Sequence, residues 1–213
     1  MIISAKDISF AYTKTDFVLK NFYFEARRGE IILIKGKSGA GKSTLLKIFC
    51  GIIPKVIKGT FSGQVTIYNT DISKLTLSQT APFVSLMFQD ADKQLILPDV
   101  ESELAFACEN LCLPKKEISK RIETTLDLLQ LNKLKYASTA TLSFGQKKLV
   151  VFASIITLSP TVFLLDEPIS GLSLKNAKIV IDAIKNLSKK GKTFILAGHS
   201  DILNLISDRI IEL

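Results

Sequence analysis

The stretch GKSGAGKST, residues 36–44, decides the fold of this chain. It matches the pattern G-x-x-x-x-G-K-[ST], and it lies between an apolar run at residues 31–34 and a helical pattern that starts at Leu45. A strand, a glycine-rich loop and a helix in this order predict a cradle for phosphate. The curled backbone and the helix N-terminus both direct N–H groups at the anion.

Two residues of this loop carry most of the predicted chemistry. Lys42 is expected to reach the β- and γ-phosphates of a nucleotide, and Ser43 is expected to offer its hydroxyl to Mg²⁺. The residues predicted to contact the nucleotide in this loop are Gly36, Lys37, Ser38, Gly39, Ala40, Gly41, Lys42, Ser43 and Thr44.

Two carboxylates follow the apolar residues 162–165. A buried strand would deliver Asp166 and Glu167 to the carboxyl edge of a sheet, where ligands bind in open α/β folds. Asp166 is predicted to hold Mg²⁺ through water. Glu167 is predicted to be the general base or water anchor, which favours hydrolysis over a kinase reaction.

Two more polar side chains end apolar runs of strand length. The single histidine, His199, follows residues 193–198, and Gln89 follows residues 83–88. We expect His199 to sense or stabilise charge at the γ-phosphate, although a lone histidine is more often structural. Gln89 is expected to coordinate Mg²⁺ and to orient water through its amide oxygen.

Composition limits the class of protein. The chain has 213 residues, is 47% hydrophobic and has no apolar run of 18 residues or signal-peptide layout at its start. Its three cysteines suggest a reducing compartment, and we interpret Cys108 and Cys112 as packing residues. The net charge of +8 is spread out. A solvated surface explains this charge, and attraction to anionic lipid is the alternative. The sequence has no interleaving of aromatic and basic residues that would indicate binding of nucleic acid.

Strands alternate with helices in the second half of the chain, which predicts a parallel sheet with helices on its faces. Residues 99–131 are predicted to be helical with a break near Pro114, and a helical subdomain is expected at about 90–150. The other predicted helices are residues 143–158 and 174–189. The predicted strands are residues 2–3, 8–10, 22–24, 63–69, 83–88, 162–165, 193–197 and 209–213.

Together these motifs resemble the ATP-binding cassette (ABC) ATPases over the whole chain. Tyr12 matches the aromatic residue that stacks on adenine, residues 142–146 match the signature LSGGQ, residues 170–173 match the D-loop and His199 matches the switch histidine. The resemblance implies a single P-loop domain over residues 1–213, of α/β class, with a mainly parallel sheet core, an N-terminal antiparallel β part and a helical subdomain. It also implies ATP and Mg²⁺ as cofactors, with Ser143, Gly145 and Gln146 as further nucleotide contacts.

A narrower resemblance lies in residues 88–95 and 100–111, which look like the ATPases of energy-coupling factor and cobalt importers. It implies a second ABC ATPase subunit, a transmembrane coupling protein and a substrate-binding membrane protein as partners. It also implies a peripheral position at the cytoplasmic face of the cell membrane. Ala91 and Ala107 stand where those ATPases usually have proline and glycine, and the transported substrate stays open.

Three residues depart from the family pattern: Phe144 replaces the first signature glycine, Leu149 a common arginine, and Ser173 the usual D-loop aspartate. We expect Phe144 to weaken hydrolysis, because phenylalanine is bulkier than glycine and adopts positive φ less readily. Two alternatives follow: the ATPase of an exporter or lipoprotein-release system, and a weakly hydrolytic subunit of a heterodimeric pair. A chromosome-type ATPase would need a long coiled coil, and a metabolite kinase would lack the signature.

Overall fold

A computed structural model describes residues 1–14 and 16–213, and within them it contains nine strands and eight α-helices. The strands are β1 (Ile3–Ala11), β2 (Phe17–Ala26), β3 (Ile31–Lys35), β4 (Thr60–Ile67), β5 (Thr70–Asp71), β6 (Val84–Met87), β7 (Val162–Asp166), β8 (Thr193–Ala197) and β9 (Arg209–Glu212). The helices are α1 (Lys42–Phe49), α2 (Ile52–Lys55), α3 (Leu77–Thr80), α4 (Val100–Asn110), α5 (Lys115–Leu129), α6 (Phe144–Leu158), α7 (Leu174–Lys189) and α8 (Asp201–Ile206). Short 3₁₀ turns lie at Ile72–Lys74, Ala91–Lys93, Asn132–Leu134 and Thr139–Thr141.

The chain divides into two compact units. The first contains residues 1–86, 160–167 and 187–213, and the second contains residues 87–159 and 168–186. The predicted limits of the helical subdomain, about 90–150, stay a prediction.

A five-stranded sheet in the order β6-β7-β8-β3-β9 forms the centre of the first unit. β3 pairs in parallel with β8 and β9, and β7 pairs in parallel with β8, as the alternation of strands and helices predicts. Every residue of β7 and β8 is buried, and the rings of Phe163 and Phe194 stack with centroids 4.7 Å apart. α1 packs against β7 and β8, so the glycine loop before α1 lies at the carboxyl edge of this sheet.

The antiparallel sheet of the first unit has the order β2-β1-β4-β5. The sequence predicts two short strands at residues 2–3 and 8–10, but the structure has one continuous strand, β1. The pairing register shifts between Ala5 and Ile8, and Asp7 has φ of +52°. This bulge interrupts the alternation of apolar and polar residues, so the two halves of the strand look separate in the sequence.

The second unit is helical, and α4, α5 and α6 pack on one another. The predicted break near Pro114 is confirmed, because Pro114 precedes the first residue of α5 and fixes its own φ at −60°. The Arg121 guanidinium of α5 donates to the carbonyls of Thr157 and Leu158 at 3.3 and 3.1 Å. This cation therefore satisfies acceptors that the end of α6 leaves without intrahelical partners.

The cysteines follow the packing interpretation only in part. Cys108 is buried in α4 and its thiol donates to the carbonyl of Thr157 at 3.4 Å, while burial raises its pKa. Cys50 is also buried, and burial raises the pKa of its thiol to about 11. The packing prediction is wrong for Cys112, which is exposed and has φ of +55°, because α4 ends at Asn110.

Across residues 1–14 and 16–213, the helices fall short of the length and apolar content that crossing a membrane requires.

The buried parallel sheet predicts a large stability difference between two leucines. Leu164 lies in β7 with none of its surface exposed, whereas Leu205 in α8 is 84% exposed. Leu164→Ala leaves a cavity and is expected to cost about 2–5 kcal/mol of unfolding free energy. Leu205→Ala, the matched control, is expected to change it by less than about 0.5 kcal/mol. Urea unfolding followed by circular dichroism measures both, and equal midpoints would contradict this account of the core.

Candidate nucleotide-binding site

The glycine loop owes its shape to a residue that has to lack a side chain. Gly41 caps the N-terminus of α1 with φ of +96°, a region that disfavours other residues. A Cβ on Gly41 would lie 2.8 Å from Cγ1 of Val18 in β2. The chain therefore enters α1 through a turn that only glycine fills, and the first N–H groups of the helix remain open to an anion.

The side chain of Lys42 is directed back into this loop. Lys42 is buried, and its Nζ donates to the carbonyl oxygens of Gly36 and Lys37 at 2.6 and 3.1 Å. Its third contact is Nε2 of His199 at 3.0 Å. An ammonium group has no acceptor, so Nε2 accepts in this contact and the imidazole carries its proton on Nδ1.

The two predicted carboxylates lie where β7 ends, as the sequence predicts. Asp166 is buried and is paired with Ala197 of β8, while the backbone N–H of Glu167 donates to the carbonyl of Ala197 at 2.8 Å. Glu167 has φ of +49°, which is uncommon outside glycine. This turn directs the Glu167 carboxylate toward the histidine, with Oε1 at 3.9 Å from Nε2 of His199.

His199 thus lies between a cation and a carboxylate. Its side chain is 53% exposed, whereas that of Glu167 is 18% exposed. Within the first unit the structure brings together Lys42, Glu167 and His199, which are distant in sequence. The arrangement places an ammonium group, a carboxylate and an imidazole together, with Nε2 of the imidazole 3.0 Å from the ammonium and 3.9 Å from the carboxylate.

Tyr12 lies beside α1, the helix that follows the glycine loop. Its hydroxyl makes a 2.8 Å hydrogen bond with the Thr44 hydroxyl, and its ring meets Phe10 edge-on at a centroid distance of 4.9 Å. Tyr12 as a whole is 48% exposed. An exposed aromatic ring held in this way suits stacking on a base, and its contact with adenine stays a prediction.

The donor set here fits a magnesium nucleotide. Mg²⁺ prefers oxygen ligands and is held by one or two carboxylates together with substrate phosphates, rather than by an all-protein cage. Asp166 supplies a buried carboxylate and Ser43, on the first turn of α1, supplies a hydroxyl. Among the described residues no group of three or more His, Cys, Asp or Glu side chains forms a metal cage.

Gln89 belongs to the second unit, where it is exposed two residues after the end of β6. The turn that follows is held by Gln94, whose Oε1 accepts from the backbone N–H of Phe88 at 2.9 Å. Asp92 of the same turn pairs with Lys147 of α6 at 2.5 Å. The roles of Gln89 toward Mg²⁺ and water stay predictions.

The residues of the signature stretch start α6. Ser143 caps the helix and accepts from the N–H of Gln146 at 3.3 Å, while Gln146 Oε1 accepts from the N–H of Ser143 at 2.8 Å. Sequence reasoning missed this reciprocal cap, although S-x-x-Q is its signature. The contacts predicted for Ser143, Gly145 and Gln146 with a nucleotide stay predictions.

Phe144 is expected to weaken hydrolysis for two reasons, its bulk and its reluctance to adopt positive φ, and the second reason is wrong. Phe144 is the first residue of α6, and it is absent from the described residues with positive φ. The position therefore has helical backbone that any residue can adopt, because the cap places the turn at Ser143. Its bulk remains the only difference from glycine on which that expectation can rest.

Comparison with known proteins agrees with these features. The family model for the ABC transporter matches residues 19–170. A putative ABC transporter ATP-binding protein of Sulfurisphaera tokodaii is 36% identical over 213 residues, which is 99% of this chain and 45% of that protein. The energy-coupling factor transporter ATP-binding protein EcfA of Methanocaldococcus jannaschii is 35% identical over 98% of this chain and 74% of its own length. The chain spans 33–45% of the length of the first three curated relatives it matches.

Solved structures share the fold. CbiO1 from Clostridium perfringens, part of the ABC transporter complex cbiONQ, superposes with a TM-score of 0.85 at 32% identity, over 99% of this chain and 84% of that one. The ATP-binding cassette MJ0796, in a dimeric post-hydrolysis state with ADP and Pi, has a TM-score of 0.85 at 25% identity, over 99% of this chain and 94% of its own. The resemblance and the fold class are thereby confirmed, and this chain belongs to the ABC transporter family of ATP-binding proteins and has the P-loop fold of an ABC ATPase.

Proposed function

We propose that this chain binds MgATP and hydrolyses ATP as the ATPase subunit of a membrane transporter. The observation that carries the proposal is the contact of Lys42 Nζ with two loop carbonyls and with His199. Nε2 of His199 in turn lies 3.9 Å from the Glu167 carboxylate. Among the described residues, the hydrogen-bond partners of this buried ammonium group are neutral, which makes it a strong attractor for phosphate. A carboxylate beside it can accept a proton from water.

The proposed mechanism uses each group at a defined atom. Lys42 exchanges its contacts with the Gly36 and Lys37 carbonyls for oxygens of the β- and γ-phosphates. Glu167 accepts a proton from the attacking water at a carboxylate oxygen. His199, freed from Lys42 by the same exchange, uses Nε2 toward the γ-phosphate as charge develops there.

Mg²⁺ would be held by the Ser43 hydroxyl, by Gln89 and, through water, by Asp166, and it would neutralise negative charge on the phosphates. Asp166 is suited to this task because β7 fixes it against β8 at the edge of the sheet. Its position therefore does not depend on a mobile loop.

We further propose that the chain pairs head-to-tail with a second ABC ATPase, so that Ser143, Gly145 and Gln146 act on the nucleotide held by the partner. The dimeric state of the MJ0796 cassette supports pairing with a second ATPase. The partner is the same chain or a different one. A different partner is favoured if the bulk of Phe144 slows hydrolysis at the site that it completes.

Within transporters, we propose an importer of the energy-coupling factor type, for a vitamin or a metal ion. The similarity to EcfA and to CbiO1, together with residues 88–95, supports it. This assigns a transmembrane coupling protein and a substrate-binding membrane protein as partners, and a peripheral position at the cytoplasmic face of the membrane. The exporter or lipoprotein-release alternative shares the ATPase chemistry and differs in these partners.

The role of Glu167 is tested by Glu167→Gln, which keeps the shape of the side chain but removes the base. The variant is expected to bind ATP with wild-type affinity and to hydrolyse it at least ~100-fold more slowly, the usual scale for a lost general base. Steady-state phosphate release and binding of a fluorescent ATP analogue measure the two properties.

Glu25→Gln serves as the control, since Glu25 lies on β2 and is exposed. It is expected to keep both properties. Wild-type turnover in Glu167→Gln would move the base to another residue, with His199 the next to examine.

The importer proposal is tested at the surface of α4. Phe106 is 38% exposed there. Phe106→Ser is expected to spare ATP binding and to reduce, by roughly tenfold or more, co-purification with a coupling protein encoded beside this chain. A loss of one well-packed aromatic contact is of that size.

Tyr136→Ser is the matched control, because Tyr136 is an exposed aromatic residue of the same unit. Normal assembly with Phe106→Ser would count against the importer type and leave the ATPase proposal intact.

A further inference from the structure

The unusual residue of the signature stretch contacts the loop that follows β7. Phe144 is 50% exposed, and the covered side of its ring lies against Gly171. A Cβ on Gly171 would lie 2.8 Å from Cε1 of Phe144 and 3.5 Å from its Cζ. Because Gly171 also has φ of +73°, both its backbone conformation and the neighbouring ring favour glycine there.

A buried lysine joins the same contact. Lys148 lies one helical turn after Phe144, so the two side chains share a face of α6. Lys148 is only 2% exposed, its Nζ donates to the carbonyl of Ser170 at 2.8 Å, and it lies 5.7 Å from the centre of the Phe144 ring. Burial of a cation is unfavourable without such partners, so the carbonyl of Ser170 and the ring face help to stabilise it.

The contact extends to the start of α7. A Cβ on Gly145 would lie 3.1 Å from Nδ2 of Asn176 and 3.6 Å from Cδ2 of Leu172. The N-terminus of α6 and residues 170–176 therefore pack closely within the second unit. A glycine at position 144 could not cover Gly171, and a short side chain at 148 could not reach Ser170.

We propose that Phe144 and Lys148 are positioning residues. They form a clasp, the contact of these two side chains with Ser170 and Gly171, that fixes the loop 170–173 to the N-terminus of α6. In the head-to-tail dimer, on which the catalytic consequence of this inference rests, the loop and the signature stretch then act on the partner's nucleotide as one piece. Phe144 thereby supports hydrolysis and is not a handicap.

Hydrogen exchange of the nucleotide-free chain tests the clasp independently of catalysis. The Leu172 amide donates to the Ile169 carbonyl at 3.2 Å, so it reports on the order of this loop. Phe144→Ala is expected to speed exchange in residues 170–173 about tenfold, and Lys148→Met is expected to do the same. Phe106→Ala, which removes another partly exposed phenylalanine from a helix of the same unit, is expected to leave that segment unchanged.

A double-mutant cycle tests the catalytic consequence. Gly171→Ala introduces a Cβ that meets the Phe144 ring in the wild-type chain but not in Phe144→Ala, whereas the strain of positive φ is common to both. The loss of kcat caused by Gly171→Ala is expected to be about tenfold larger in the wild-type background, with the KM for ATP unchanged. Phe144→Ala alone is expected to lower kcat, the reverse of what a handicap predicts.

Unchanged exchange in Phe144→Ala and Lys148→Met would overturn the clasp. Equal effects of Gly171→Ala in both backgrounds, or a higher kcat in Phe144→Ala, would overturn its catalytic role. If no variant hydrolyses ATP, either alone or paired with a different partner ATPase, the proposed function and the catalytic role both fail, and the exchange measurement still decides whether the clasp exists.

Discussion

The buried ammonium group of Lys42 is the constraint on which the site depends. Within the part of the chain that the structure describes, its contacts are two backbone carbonyls and one imidazole, all of them neutral. Neutral acceptors compensate a buried cation only in part, so an arriving phosphate gains both charge attraction and hydrogen bonds. In the proposed mechanism the same exchange releases Nε2 of His199. Binding of the anion and release of the histidine would therefore be linked by one side chain.

The rest of the first unit places partners around that ammonium group. The parallel pairing of β7 with β8 puts Glu167 and His199 at the same edge of the sheet, and α1 packs against both strands. The positive φ of Glu167 is strained for a residue other than glycine, and such strain persists only where the surroundings hold it. The fully buried strands provide that support. Stability of the sheet and the position of the Glu167 carboxylate thus have the same physical origin.

In the second unit the signature stretch is partly exposed, so contacts within that unit have to keep it ordered. The reciprocal cap between Ser143 and Gln146 starts α6, and the clasp of Phe144 and Lys148 ties that start to the loop at Gly171. The phenylalanine that replaces the family's glycine at residue 144 therefore makes a contact that glycine could not make.

Sequence reasoning located the glycine loop, the strand-end carboxylates and helix α7, because each has a local pattern of apolar periodicity or spacing. It missed the continuity of β1, since the bulge at Asp7 breaks the alternation, and it misplaced Cys112, since Pro114 marks the break between α4 and α5 but not the residue at which α4 ends. The backbone at Phe144 was also misjudged, because a comparison with glycine says nothing about where a helix begins. Contacts such as Lys148 with Ser170 depend on tertiary packing and have no sequence signal.

The most direct test of the account is a crystal structure of the chain with MgATP. The account predicts Lys42 Nζ within ~3 Å of β- and γ-phosphate oxygens, a typical distance for a charge-assisted hydrogen bond, and no longer bonded to the carbonyls of Gly36 and Lys37. Nε2 of His199 is predicted to have left Lys42 and to face the γ-phosphate. A nucleotide bound elsewhere, or bound at the loop with Lys42 still donating to both carbonyls, would contradict it.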